Sequence, residues 1–237
     1  MRLDKYLCDM QMGTRSELKK IIRSGRVTVN QEHVKDSGTN VAETDLIEFD
    51  GKPVRYEKNI TYLFHKPGDC VTAKKDSMHK TVMDYFPPEL QILNPVGRLD
   101  FDTEGLLFLT TDGELLHHLI SPSHRVEKTY YAILDAAVPP EAVSAFADGI
   151  DIGDDTPTLP AQLEIVSDSN PYAANLTICE GRFHQVKRMF AAIGCNVTYL
   201  KRIREGAFTL EQLACGEYRK LTEEEIALLK AKSYEKN

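Results

Sequence analysis

The sequence has few of the features that would place it outside the ordinary globular class. Its apolar stretches, such as Leu106–Leu109 and Tyr130–Leu134, end after about five residues, far short of the roughly 20 a membrane-spanning helix needs. No apolar leader follows Met1-Arg2-Leu3-Asp4-Lys5, so no signal peptide is expected. The five cysteines (Cys8, Cys70, Cys179, Cys195, Cys215) are odd in number, far apart and never spaced C-x-x-C. A disulfide framework and a structural zinc site are therefore not expected, and a reducing, cytoplasmic setting fits. Glycine-rich phosphate-binding motifs are missing as well, which leaves nucleotide cofactors without support. There is no internal repeat, and 14 Gly and 11 Pro in 237 residues are too few for a collagen-like or low-complexity chain. What remains is 42% hydrophobic and 27% charged, enough apolar mass for one medium domain with a smaller one attached.

The net charge of −7 hides an uneven distribution. Residues 1–28 carry a net +4 through Arg2, Lys5, Arg15, Lys19, Lys20, Arg23 and Arg26, whereas residues 29–58 carry −3. Residues 181–206 carry +5 through Arg182, Lys187, Arg188, Lys201, Arg202 and Arg204. Two basic islands in an acidic body are as compatible with solvated faces as with a nucleic-acid surface.

The first island has a local design. Thr14-Arg15-Ser16-Glu17 is a capping box, Leu18, Ile21 and Ile22 form a narrow apolar stripe, and Gly25 stands where a helix would stop. Lys19, Lys20 and Arg23 fall on the opposite face. A strand at Arg26–Asn30, a second at Asp45–Phe49 and a turn at Asp50-Gly51 follow, and Tyr56–Asn59 reads as a linker. Beyond it, strands are expected at 61–65, 106–110, 129–134, 162–166, 175–179 and 196–202. Helices are expected at 113–120, 140–147, 184–193 and 223–232. Strands that follow one another directly predict an α+β fold with a largely antiparallel mixed sheet flanked by helices.

Three polar clusters could carry chemistry. In Gly97-Arg98-Leu99-Asp100-Phe101-Asp102-Thr103-Glu104-Gly105 the carboxylates imitate a calcium loop, but the position of the bidentate glutamate holds Thr111. Alternation along an extended segment would put Asp100 and Asp102 on one face, so a glycosidase-like pair and a simple charged turn both stay open. In Glu180-Gly181-Arg182-Phe183-His184-Gln185-Val186-Lys187-Arg188-Met189-Phe190 the stripe Val186, Met189, Phe190, Ile193 faces a core, with Lys187 at its border and Arg188 further out. His184 reads as a structural histidine. In Glu127-Lys128-Thr129-Tyr130-Tyr131-Ala132 the two tyrosines must face opposite ways.

The capped helix, glycine and R-V-T-V-N of residues 1–58 resemble the S4-type RNA-binding module. The ordered set G-R-L-D-x-D-T-E-G-L-L, E-K-T-Y-x-A and E-G-R-F-H-Q-V-K-R-M-F, with His65-Lys66-Pro67-Gly68 before it and Gly216-Glu217-Tyr218-Arg219 after it, resembles the RsuA-type RNA pseudouridine synthases over nearly the whole chain. The resemblance implies an S4-like domain at 1–58 and a catalytic domain at 59–237. It implies isomerisation of one uridine in ribosomal RNA, most nearly the helix-18 loop of 16S rRNA, without metal or cofactor. It makes Asp100 the catalytic aspartate, Lys187 its basic partner, a cation whose proximity favours the carboxylate form, and Tyr130 the tyrosine that stacks on the base. Arg98 would help hold the flipped base, Val186 would wall the pocket, and Lys19, Lys20, Arg23 and Arg188 would contact phosphates. The expected partner is ribosomal RNA or a small-subunit assembly particle, with no membrane; the sequence leaves the oligomeric state open, with a monomer favoured. The alternatives are a non-catalytic S4-bearing assembly factor, a large-subunit rRNA synthase and a carboxylate-pair glycosidase.

Overall fold

A computed structural model describes residues 1–10, 12–57 and 59–231. The chain divides into two compact units, Met1–Ile60 and Thr61–Asn237. In the first, helices α1 (Leu3–Asp9) and α2 (Arg15–Arg23) precede four short strands, β1 (Val27–Val29), β2 (Glu32–His33), β3 (Ile47–Phe49) and β4 (Lys52–Val54). The sheet runs β2-β1-β3-β4 and every pairing is antiparallel. Thr14 and Glu17 form the expected capping box, with the Glu17 carboxylate accepting the Thr14 N–H at 2.8 Å. Leu18 and Ile22 point inward to meet Leu3, Tyr6, Leu7, Val27 and Ile47 in the core of this unit. Arg15, Lys19, Lys20 and Arg23 stand exposed on the other face. The helix α1 is absent from the sequence reading because its N-cap, Arg2, makes no side-chain capping bond. Lys58 of the expected linker lies outside the described residues.

The second unit is built on one mixed sheet. Its elements, in chain order, are β5 (Thr61–Lys66), β6 (Asn94–Pro95), β7 (Glu104–Thr110), α3 (Gly113–Ile120), β8 (Lys128–Leu134), α4 (Ala142–Asp148), β9 (Gln162–Ser167), β10 (Tyr172–Ile178), α5 (Gln185–Ala192), β11 (Val197–Glu205), β12 (Phe208–Thr209), β13 (Tyr218–Lys220) and α6 (Glu223–Ala231). The order across the sheet is β13-β5-β7-β11-β8-β10-β9, with β6 on β7 and β12 on β11. Only β7 and β11 run parallel among the described pairs, so the fold is the α+β type with a largely antiparallel sheet. No helix is long and apolar enough to cross a membrane among the described residues. Lys232, the expected last residue of α6, lies outside them.

The parallel pair sits at the centre of the sheet, and its tightness has a cause. Gly105 lies opposite Arg202, where an added Cβ would come within 2.3 Å of the Arg202 carbonyl oxygen at a φ of +124°. Only glycine permits that approach. Arg202 in turn is buried, donates to the Leu106 carbonyl at 2.7 Å and pairs with Glu205 at 3.1 Å. These contacts fix where β7 starts, and the segment that leads into it is the first polar cluster.

That segment is not extended. Thr103 N–H donates to the Asp100 carbonyl at 3.1 Å, closing a turn over 100–103. The expectation that Asp100 and Asp102 share one strand face is therefore corrected: the chain reverses between them, and only Asp100 is turned into the sheet's cleft.

Candidate active site

Two side chains hold the Asp100 turn. Lys66, at the end of β5, is fully buried, and its ammonium donates to the carbonyls of Pro67 at 2.9 Å, Asp100 at 3.0 Å, Phe101 at 3.4 Å and Thr103 at 2.9 Å. Burial pulls its pKa below the ordinary lysine value, while the negative charges of Asp100, Asp102 and Asp69 act in the other direction. Thr72 completes the clamp: its hydroxyl donates to the Leu99 carbonyl at 2.8 Å and accepts the Leu99 N–H at 3.1 Å. Asp100 is thus carried on backbone bound on both sides, which is how a reacting group is kept in one place without cost at the moment of reaction.

The aspartate lines an open cleft of about 80 Å³ together with Arg98, Leu99, Thr103, Tyr130, Ile178, Gly181, Arg182, His184, Gln185, Val186 and Leu200. Tyr130, on β8, is buried and forms part of the floor, whereas Tyr131 on the opposite face is only half-buried. Burial pushes the Tyr130 phenol above its ordinary pKa, against the pull of the neighbouring Arg202 guanidinium, so the hydroxyl stays protonated at neutral pH. Val186 supplies an apolar wall, and the exposed Arg98 stands at the rim.

Helix α5 brings the second cluster to the same place. Gln185 folds the turn before it, accepting the Arg182 N–H at 2.9 Å and donating to Glu180 at 2.9 Å. Glu180 also accepts from Arg182 Nε at 3.0 Å and from the Leu159 N–H at 2.8 Å. One turn into the helix, Lys187 reaches both acids of the first cluster: Nζ lies 2.5 Å from Asp102 Oδ1 and 3.9 Å from Asp100 Oδ2. The nearer carboxylate is not the one that the family resemblance makes catalytic. Burial by itself would raise the Asp102 pKa, but the Lys187 hydrogen bond and charge outweigh it and hold that carboxyl below its usual value. Asp102 is 64% exposed at its side chain against 29% for Asp100, so it lies outside the cleft and holds the lysine from there.

Two residues have settings that differ from expectation. Arg188, expected at phosphates, is committed within the chain: it pairs with Asp154 at 2.5 Å and donates to the Ile152 carbonyl at 2.6 Å. Those bonds tie α5 to the 150–159 loop and leave the guanidinium little to offer a ligand. His184, read as structural, is exposed and places Nε2 3.6 Å from Asp100 Oδ1. It caps α5 with a φ of +48°, a conformation that no pattern of residue types announces. Lys19, Lys20 and Arg23 lie in the other unit, on the exposed face of α2, with no ion pair of their own among the described residues.

Comparison with known proteins gives these features a context. The RNA pseudouridylate synthase family matches residues 60–192, and the S4 domain matches residues 1–47. The chain is 42% identical over 229 residues to a Vibrio parahaemolyticus protein named ribosomal small subunit pseudouridine synthase A, covering 95% of this chain and 98% of that one. It is 42% identical over 234 residues to the Bacillus subtilis protein named uncharacterized RNA pseudouridine synthase YtzG, covering 97% and 98%. Among solved structures, one described as a crystal structure of pseudouridylate synthase aligns with a TM-score of 0.69 and 40% identity, covering 97% of this chain and 99% of its own.

Proposed function

The chain belongs to the RNA pseudouridylate synthase family, and on that premise we propose that it converts one uridine of small-subunit ribosomal RNA to pseudouridine, with Asp100 as the catalytic carboxylate. The observation that carries this reading is the placement of Asp100 in a cleft floored by Tyr130 and walled by Val186, with the Lys187 ammonium 3.9 Å away. The reaction cuts the N1–C1′ bond and rejoins the uracil to the ribose through C5, so C5 loses a proton and N1, freed from the sugar, gains one. It neither oxidises nor reduces, so it calls for no redox cofactor. Whichever atom the carboxylate engages, it must stand ionised beside the glycosidic bond. A base in structured RNA reaches such a cleft only by leaving its stack. Tyr130 then offers an aromatic face and a protonated hydroxyl, and Arg98 at the rim steadies the extruded nucleotide. Relatives named for the small ribosomal subunit support a 16S rRNA target, for which the helix-18 loop is our assignment. Residues 1–58 form the RNA-binding module of this reading and residues 59–237 the catalytic part.

Tyr130→Phe keeps the ring and removes the hydroxyl, while Lys187→Met keeps the stem and removes the charge. Each is expected to lower kcat by about a hundredfold with RNA affinity retained, because both act after docking. Tritium release from RNA labelled at uridine C5, run beside filter binding, separates the two quantities. A Lys187→Met enzyme that loses only affinity would make Lys187 a phosphate contact instead.

The basic face of α2 is assigned to phosphates. Reversing Lys19, Lys20 and Arg23 to Glu is expected to raise KM for RNA at least about tenfold and to flatten the salt dependence of binding by roughly 2 to 3 in the log–log slope. Titrations at several salt concentrations measure both. An unchanged slope would take this helix out of the RNA path.

A further inference from the structure

Next to His184, which lines the cleft, stands an aromatic ring that the reaction itself does not require. Phe183 is 77% exposed, an unusual setting for a phenyl ring. It is not a loose side chain, however. Its ring stacks on His184 with centroids 3.9 Å apart and planes at 16°. Its carbonyl accepts from Arg188 Nη1 at 3.2 Å, and the turn beneath it is closed by Gln185. With one face against the imidazole, so large an exposure leaves the other face open to solvent. The same imidazole places Nε2 3.6 Å from Asp100 Oδ1. A flat, fixed, unpaired aromatic surface therefore stands one side chain away from the carboxylate.

We propose that the Phe183–His184 stack is a platform for an unpaired RNA base adjacent to the target uridine. The inference rests on the assignment of Asp100 as the reacting group and adds a second recognised nucleotide to it. When a uridine enters the cleft far enough to bring its C1′ to Asp100, its neighbour on the strand loses a stacking partner. That neighbour is held within one nucleotide's reach of the uridine, beside the cleft where Phe183 lies. An aromatic face replaces the lost partner, and any base can use it because every base has a π-face. The platform thus recognises an unstacked strand rather than a sequence, and it favours loop uridines over those in continuous helices.

The sequence contains no tryptophan, so Phe183→Trp introduces one reporter beside the cleft. Adding an unmodified 16S rRNA transcript is expected to quench its emission while leaving affinity near that of the wild type. Phe183→Leu keeps an apolar side chain without a π-face and is expected to weaken binding of the same transcript by about 5- to 150-fold. Emission unchanged at saturating RNA, or a Leu variant that binds as tightly as the wild type, would overturn the platform. Tritium release by the wild-type enzyme reports separately on the reaction. A wild type that binds the transcript without releasing tritium counts against the proposed activity, while emission and affinity still decide the platform.

Discussion

Asp100→Asn is expected to lower pseudouridine formation by at least about 10⁴-fold while RNA affinity changes by no more than about twofold. The substitution is nearly isosteric, and the backbone that carries it is held by Lys66 and Thr72 rather than by the carboxylate. An amide is neither a nucleophile nor a base of useful strength, so chemistry stops where docking does not. The control is Asp102→Asn, two residues away. That side chain lies outside the cleft and reaches the reaction only through Lys187, to which it is bound at 2.5 Å. Its loss frees the lysine to move toward Asp100, so substantial turnover should remain. Parallel losses in both variants would point to a shared carboxylate mechanism and away from a single aspartate.

Lys66→Met is expected to be the most destabilising single change near the site. The methionine fills much of the same volume, yet three carbonyls within 3.0 Å of the ammonium, those of Pro67, Asp100 and Thr103, lose their donor in a place water does not reach. Each buried acceptor left unmade costs about 1–3 kcal/mol, offset in part because a charge no longer has to be buried. A net loss of about 3–5 kcal/mol follows, read as a lower urea midpoint. Activity should fall further than stability alone explains, because the turn that aims Asp100 loosens. An unchanged midpoint would mean that the carbonyls find other partners and that Lys66 does not organise this turn.

The contrast between these two residues shows what a sequence makes legible. Asp100 belongs to a contiguous polar cluster in front of an apolar strand, and such a cluster announces itself. Lys66 ends the strand Thr-Tyr-Leu-Phe-His-Lys, where a terminal lysine looks like an exposed residue; only the folded turn, 34 residues further on for Asp100, reveals its acceptors. The Lys187–Asp102 pair spans 85 residues and was equally hidden. Helix α2 was legible because its cap is local and chemical, Thr14 with Glu17. Helix α1 was not, since it begins without a capping side chain and takes its stability from packing Leu3, Tyr6 and Leu7 into the unit's core. The two- and three-residue strands β2, β4, β6, β12 and β13 are too short to show a period of two. Strand β10 begins three residues earlier than the apolar pattern suggests, at Tyr172, because its pairing with β8 and not its composition sets its start.

One measurement bears most directly on the claim that this cleft makes pseudouridine through Asp100. Carbodiimide-stop primer extension maps pseudouridines across both large ribosomal RNAs in cells that lack the gene, and again after return of the wild-type or the Asp100→Asn chain. The account predicts that one stop in 16S rRNA disappears with the gene, returns with the wild type and stays absent with Asp100→Asn. A pattern unchanged by loss of the gene, or a stop fully restored by Asp100→Asn, would contradict it.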